Sequence, residues 1–121
     1  MKPGRVEQAT VAYLAGPLAL PVGTRIPEPR PAQFLRVTRA GGNRRNLVQS
    51  NVRLLVECWG ATDALAWDAC ERSWQLMDAL ESTPTMTVAR VTLADPVNYP
   101  DSLSGSPRYQ YLADLIVNLK E

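Results

Sequence analysis

The sequence contains no histidine, the residue that most often serves as the base in nucleophilic catalysis. Its serines and its two thiols therefore lack their usual partner, and the only lysines, Lys2 and Lys120, lie at the termini. No glycine-rich phosphate-binding motif is present either. We therefore expect a protein with no catalytic residues, no cofactor and no enzymatic activity.

Cysteine is scarce as well. Cys58 and Cys70 are too few for a secreted domain that is held together by disulfides. Both fall on predicted apolar faces, so we predict packed free thiols in a reducing compartment and no metal site, because zinc would require more Cys or His ligands. There is also no uninterrupted apolar run of the length that spans a bilayer. We interpret the protein as soluble and intracellular when it is made.

Neither charge sign is in large excess, and the net charge is +1. This value gives no general indication of a nucleic-acid or membrane partner. The charges are nevertheless divided along the chain: residues 1–53 carry nine bases and two acids, whereas residues 54–121 carry four bases and ten acids. Two interpretations stay open. The halves pair within one fold, or opposite faces attract when identical copies meet head-to-tail.

Length and hydrophobic periodicity predict a single domain over residues 1–121. A short N-terminal helix should end at Gly16-Pro17, and a second helix should run from Thr62 or Asp63 to about Glu81. Between them, residues 18–31 form a proline-rich extended arm, and residues 41–46 form a turn-rich connector. The predicted strands are 34–39, 51–59, 86–93 and 109–119. These elements predict an α+β domain with a mostly antiparallel four-stranded sheet and two helices packed on one side.

The most distinctive segment is the loop 95–108, which is dense in proline, glycine, serine and asparagine. Proline and glycine at this density fix the path of a loop. The loop therefore presents a defined surface, and Tyr99 and Arg108 are its candidate interface residues. A defined surface without reactive chemistry indicates a protein that holds a partner and does not transform it.

A basic hairpin tip is formed by Arg39, Arg44 and Arg45. Without interleaved aromatic residues it is a weak candidate for stacking nucleic-acid bases. Two other interpretations stay open: an ordinary exposed tip, or arginines that line a passage or dock onto a partner.

Two tryptophans, Trp67 and Trp74, lie at the edge of an apolar arc on the second helix. This arc spans about 200°, wider than the ~100° stripe that covers one sheet. Either the N-terminal helix or the arm covers the excess, or the tryptophans contact a neighbouring subunit.

The order of the predicted elements and four of their segments resemble the tail terminator, or tail completion, proteins of long-tailed non-contractile phages, particularly those that infect actinobacteria. The segments read Phe-Leu-Arg-Val-Thr-Arg-Ala-Gly-Gly (34–42), Glu-Cys-Trp-Gly (57–60), Pro-Val-Asn-Tyr-Pro-Asp (96–101) and Gly-Ser-Pro-Arg-Tyr-Gln-Tyr (105–111). The resemblance covers nearly the whole chain, and its motifs are structural.

The resemblance implies a ring-forming α+β subunit that is made in the host cytoplasm and becomes part of the virion. Six copies would cap the head-proximal end of the tail tube, stop its polymerisation and offer a surface to the head-tail connector. The implied partners are other copies of the chain, the tail tube protein, the connector, and DNA that passes through the lumen without sequence-specific binding. Two alternatives remain: another neck component, such as a head-completion or stopper protein, or a non-viral α+β domain that binds a small ligand.

Overall fold

The protein is described here by a computed structural model that covers residues 5–44 and 49–120. Its elements are α1 (Arg5–Leu18), β1 (Val22–Gly23), β2 (Gln33–Arg44), β3 (Gln49–Gly60), α2 (Asp63–Asp78), β4 (Ser82–Thr83), β5 (Met86–Leu93), β6 (Val97–Asn98) and β7 (Arg108–Leu119). Neither of the two helices in the described residues has the length and the apolar content that a membrane-spanning helix requires.

Helix α1 continues through the point where the sequence predicts its end. Pro17 lies inside the helix, and Leu18 after it is buried in the core. A proline removes one helical hydrogen bond, but here it falls in the last turn, where the packing of Leu18 favours the helical path. The chain leaves the helix at Ala19, whose φ of 53° is left-handed, and whose N–H donates to the carbonyl of Ala15 at 3.0 Å. The predicted stop at Gly16-Pro17 is therefore wrong.

Strands β2 and β3 form a long antiparallel hairpin that includes the two glycines expected in a turn. The register shifts between Arg39 and Gly41, so Ala40 forms a bulge, and the pairing then continues to Arg44. Gly42 is required there, because a Cβ at this position would lie 2.3 Å from the carbonyl oxygen of Asn51. The connector predicted at 41–46 is thus strand up to residue 44, and its remainder lies outside the described residues.

The sheet contains seven strands in the order β1-β2-β3-β7-β5-β4, with β6 paired to β7. The predicted four-stranded antiparallel sheet is wrong, because the sheet is mixed: β1 pairs with β2 in parallel. The four long strands are present near their predicted positions. The three additional strands have two residues each and come from the arm, from the residues after α2 and from the loop 95–108. Two residues are too few to show a hydrophobic alternation.

Both helices pack on one face of this sheet. Thr62 caps α2 by accepting a hydrogen bond from the N–H of Leu65 at 3.2 Å, as predicted, but α2 ends at Asp78 and not at Glu81. The shared core includes the following buried side chains: Val6, Leu14, Leu18, Leu35, Val37, Val52, Leu54, Val56, Ala69, Met77, Met86, Ala113, Leu115 and Val117.

Both cysteines are buried in this core as free thiols, which confirms the prediction of packed thiols. The Sγ atom of Cys58 lies 3.6 Å from the hydroxyl of Ser73, and that hydroxyl lies 2.9 Å from the hydroxyl of Tyr111. Burial raises the pKa of the Cys58 thiol and the pKa of Tyr111, because the charged form of each group would lose hydration. These groups are therefore neutral members of the core at neutral pH.

Two leucines provide a matched test of this core. Leu54 is fully buried, whereas the side chain of Leu103 is 96% exposed. We expect Leu54→Ala to lower the free energy of unfolding by about 2–5 kcal/mol through a cavity. The same change at Leu103 should stay within about 0.5 kcal/mol. Urea denaturation of the two variants measures both values, and similar losses in the two would contradict the assigned core.

Candidate functional site

The face of the sheet opposite the helices carries charged and aromatic side chains. At the end where β7 begins, it is covered by the loop 95–108 and by the last residues of the proline-rich arm. The contacts there form one group, which we call the Glu57 cluster and define by five residues: Arg36, Glu57, Trp59, Tyr99 and Arg108. Because it joins two strands to the loop through a buried carboxylate, it is the candidate functional site.

The loop 95–108 is held in shape by its own hydrogen bonds. The backbone N–H of Asp101 donates to the carbonyl of Ser106 at 3.0 Å, and the N–H of Gly105 donates to the carbonyl of Asp101 at 2.7 Å. The Asp101 carboxylate accepts from the hydroxyl of Ser104 at 2.6 Å and from its backbone N–H at 3.0 Å. These hydrogen bonds lower the pKa of Asp101, because they favour its charged form. Gly105 supplies the left-handed conformation with a φ of 73°.

Arg108 attaches the loop to the sheet. Its side chain is only 9% exposed. Its Nε donates to the carbonyl of Tyr99 at 2.8 Å, and its Nη1 donates to the carboxylate of Glu57 at 3.0 Å. The guanidinium also lies 4.9 Å from the ring centre of Trp59 and 5.3 Å from that of Tyr99, within cation–π range. One side chain therefore joins the loop backbone, two aromatic rings and a buried carboxylate.

Glu57 is the centre of this arrangement. It lies on β3, is buried, and accepts hydrogen bonds from Arg36 on one oxygen and from Arg108 on the other. The hydrogen bond to Glu57 raises the pKa of the Arg36 guanidinium, because it favours the charged form. Asp101 contributes a second negative charge, with its Oδ1 at 4.0 Å from Nη1 of Arg108. Two cations thus meet two carboxylates, which balances the local charge.

The proline-rich arm reaches the same place through Arg30. Its Nη1 donates to the hydroxyls of Ser104 at 3.0 Å and Ser106 at 3.2 Å. Its guanidinium carbon lies 5.2 Å from the ring centre of Trp59, which also stacks on Phe34 with ring centres 5.3 Å apart. The arm and the loop were predicted separately as defined segments, and the structure joins them at one end of the sheet.

The remainder of this face is not covered by any described element. Half-buried apolar side chains lie along it: Leu55, Leu112 and Ile116. Beside them Arg53 pairs with Asp114 at 2.9 Å, and both side chains are about half exposed. Arg90 lies next to this pair and helps to line a shallow cavity of about 460 Å³ beside the β2 bulge. The face therefore mixes apolar contact area with a solvated ion pair.

The structure brings together two of the seven candidate interface residues, Tyr99 and Arg108. Arg44 lies at the opposite end of the sheet, because it pairs with Ser50 whereas Arg108 pairs with Trp59. Arg39 is exposed beside the bulge. Arg44 ends β2, and Arg45 lies outside the described residues.

The two tryptophans of α2 have different environments. Trp74 is half-buried against the core, and its indole N–H donates to the carbonyl of Ala94 at 3.1 Å. Trp67 is 41% exposed and contacts the ring of Tyr109 edge-on at 5.2 Å. Helix α1 covers part of the wide apolar arc, since the Tyr13 hydroxyl donates to the carbonyl of Leu76 at 2.6 Å. Contact of the tryptophans with a neighbouring subunit stays a prediction.

Sequence reasoning missed the centre of the cluster. Glu57 and Arg36 belong to segments of the resemblance but were not predicted as site residues, although strand alternation places Glu57 on the mixed face of β3 beside Trp59. A carboxylate among the apolar residues of this strand was the available signal, because such a residue is seldom buried without a partner. Its partners could not be identified from spacing, since Arg108 is 51 residues away.

Comparisons with known proteins give a fold and no family. No family model matches the sequence, and no curated protein matches it. Nine chains of solved structures do match. One is a chain from the virion of a native gene transfer agent particle, with a TM-score of 0.70 and 11% sequence identity over 95% of this chain and 96% of that chain. At this identity the likeness shows that the two chains share a fold over nearly their whole lengths.

The Glu57 cluster generates a paired prediction. We expect Glu57→Gln to lower the free energy of unfolding by about 3 kcal/mol, because it leaves buried guanidinium charge without its counter-charge. Asp114→Asn also removes a carboxylate that pairs with an arginine on the same face, but that pair is solvated, so its effect should stay below about 1 kcal/mol. Urea denaturation compares the two variants. Equal, small effects would show that the cluster does not stabilise the fold.

Asp101 gives a pH-dependent prediction. Because its pKa is lowered in the folded state, its contribution to stability is present above the unfolded value of about 4 and is lost as pH falls through the lower folded value. We expect Asp101→Asn to reduce stability at pH 7 and to flatten its decline below about pH 4. Ser104→Ala should weaken the same dependence, whereas Ser102→Ala should leave it unchanged. Thermal unfolding between pH 2 and 7 measures this, and an unaltered acid limb in Asp101→Asn would contradict it.

Proposed function

We propose that this chain is a structural virion protein, and specifically a tail terminator that caps the head-proximal end of a tail tube as a ring. The observation that carries the proposal is the shared fold with a chain of a gene transfer agent virion, which extends over 95% of this chain and 96% of that one. The order of the elements and four sequence segments resemble tail terminators, which supports the same class of protein.

The Glu57 cluster supports a role in assembly. Its charged groups are used in bonds to one another, so it offers no unpaired acid or base that would serve a reaction. What it does provide is a loop of fixed shape on the surface. Preorganised loops lose little conformational freedom when they bind, which favours their use in contacts. The protein then acts by fitting against partners, without catalysis and without a cofactor.

The charge division supports contacts between identical copies. Part of it is neutralised within the fold, as the pairs Arg36–Glu57 and Arg53–Asp114 join the basic and acidic parts of the sequence. Other charges of both signs remain exposed, and among the described residues these have no salt-bridge partner: Arg25, Arg39, Asp63, Glu71, Asp78, Glu81 and Asp95. A ring is built from heterologous contacts between two different surfaces of one subunit, which such residual charges can orient.

Further partners follow from the ring. One rim would contact the tail tube protein and the other the head-tail connector, while DNA passes through the lumen. The arginines of the hairpin tip, Arg39, Arg44 and Arg45, would then face the lumen or an adjoining virion protein. In the lumen these arginines would contact the phosphates of the DNA, and such contacts require no sequence specificity.

Tail-tube polymerisation tests the proposal. Purified tube protein should form tubes of limited length when this chain is present and longer tubes when it is absent, as measured by electron microscopy. Tubes that are equally long in both reactions, with the added protein still folded, would overturn the terminator role. A head-completion or stopper protein would give that result and would bind the head-side connector instead.

A further inference from the structure

We propose that the tip of the loop 95–108 of one copy inserts into an apolar groove on α1 of the next copy. The loop tip is defined by residues 97–103. The groove lies between α1 and the turn that joins β4 to β5, and we call it the α1 groove. The inference rests on the proposed ring, for which it names the contact between subunits.

The loop tip carries an unusual concentration of exposed apolar surface. In the described residues four large hydrophobic side chains are exposed, and three of them lie on this tip: Val97 at 53%, Tyr99 at 55% and Leu103 at 96%. The hydrogen bonds of Asp101 and the attachment through Arg108 fix the backbone that presents them. An apolar side chain that a rigid loop exposes to solvent indicates a contact site, because the loop is already ordered before it binds a partner.

The α1 groove has the size and the lining to receive such a side chain. Its volume is about 520 Å³. Its walls include the small side chains of Ala9 and Ala12, the ring of Tyr13 and the turn at Pro84. This turn is ordered, because the hydroxyl of Thr83 accepts hydrogen bonds from the N–H groups of the residues that follow it. The groove is therefore a formed feature of the single subunit.

The two surfaces lie at opposite ends of the domain. Arg108, which holds the loop, begins β7, and Leu119 at the other end of β7 pairs with Met86 beside the β4–β5 turn. Arg108 and Leu119 are the first and last residues of the twelve-residue strand β7 and lie about 36 Å apart. Two different patches that are so far apart cannot meet within one subunit. Contact between them joins successive copies head-to-tail, which is the geometry that closes into a ring.

Charge favours a second copy of this chain as the occupant of the groove. The loop contributes Asp95, which is exposed and has no salt-bridge partner among the described residues, whereas Asp101 is already matched by Arg108. The groove end carries Arg5 and Lys120, whose side chains donate to the carbonyls of Lys120 at 3.0 Å and Thr83 at 2.9 Å, respectively. Glu81, next to the turn, reduces this positive charge without cancelling it. Apolar insertion and opposite charges thus both match the loop tip to the α1 groove.

Disulfide trapping tests the contact directly. In a variant with both Leu103→Cys and Ala12→Cys, mild oxidation should produce a ladder of covalent oligomers, because each copy carries one half of the contact. The native thiols are buried and stay in every variant. The matched control pairs Leu103→Cys with Ala64→Cys, an equally small exposed residue at the start of α2. A ladder of the same yield in the control would overturn the proposal.

A charge substitution separates this inference from the proposed function. Leu103→Asp should weaken self-association at least about tenfold in analytical ultracentrifugation, since an apolar side chain no longer fills the groove. The change Ala64→Asp introduces the same charge at an exposed residue outside both surfaces; it serves as the control and should have little effect. Circular dichroism verifies that both variants fold. We expect Leu103→Asp to fold because Leu103 is exposed.

The outcomes are distinguishable. If the protein forms rings but Leu103→Asp associates like the control, the loop-to-groove contact is wrong while the ring remains. If Leu103→Asp still forms rings but no longer limits tube length, the loop tip binds the tube protein, which also overturns the contact. If the unmodified protein forms no ring at any concentration, either on tubes or free in solution, the proposed function and the loop-to-groove contact are both wrong.

Discussion

The carboxylate of Glu57 is the group on which the functional end of this domain depends. It lies in the interior with two guanidinium groups around it, and each of its oxygens accepts from one of them. A buried charge of this kind is tolerated only when its partners are fixed. Because one partner, Arg108, also holds the backbone of the loop at Tyr99, the requirement to neutralise Glu57 determines where the loop lies.

A fixed loop gives the subunit two unlike ends. One end carries the apolar tip of the loop 95–108. The other end carries the α1 groove and the last residues of β2. The core between them is a separate structure, formed by one sheet face and both helices. The core and the surfaces that we propose for assembly therefore consist of different residues, so those surfaces can change while the core is preserved. Such a division suits a subunit that must repeat around a ring.

Of the two roles that the sequence left open for its opposite charges, pairing within one fold is observed, and contact between copies stays a prediction. Arg36 and Arg53 neutralise carboxylates of the second half inside the subunit. The exposed remainder is available for contacts between copies. Neither role excludes the other, because the pairs within the chain use only some of its charges. β3 lies between β2 and β7, so these internal pairs form there.

The sequence by itself determined the elements with a clear hydrophobic period: both helices, the four long strands, the buried thiols and the shaped character of the loop 95–108. It did not determine the three two-residue strands, the parallel pairing of β1, or the end of α1 beyond Pro17. Nor did it show that Arg30, Glu57 and Arg108 meet in one cluster. Periodicity reports which face of a local segment is buried. The partners of Arg108 and Arg30 lie 51 to 76 residues away, and β1 pairs with a separate strand, so only the packed sheet brings such partners together.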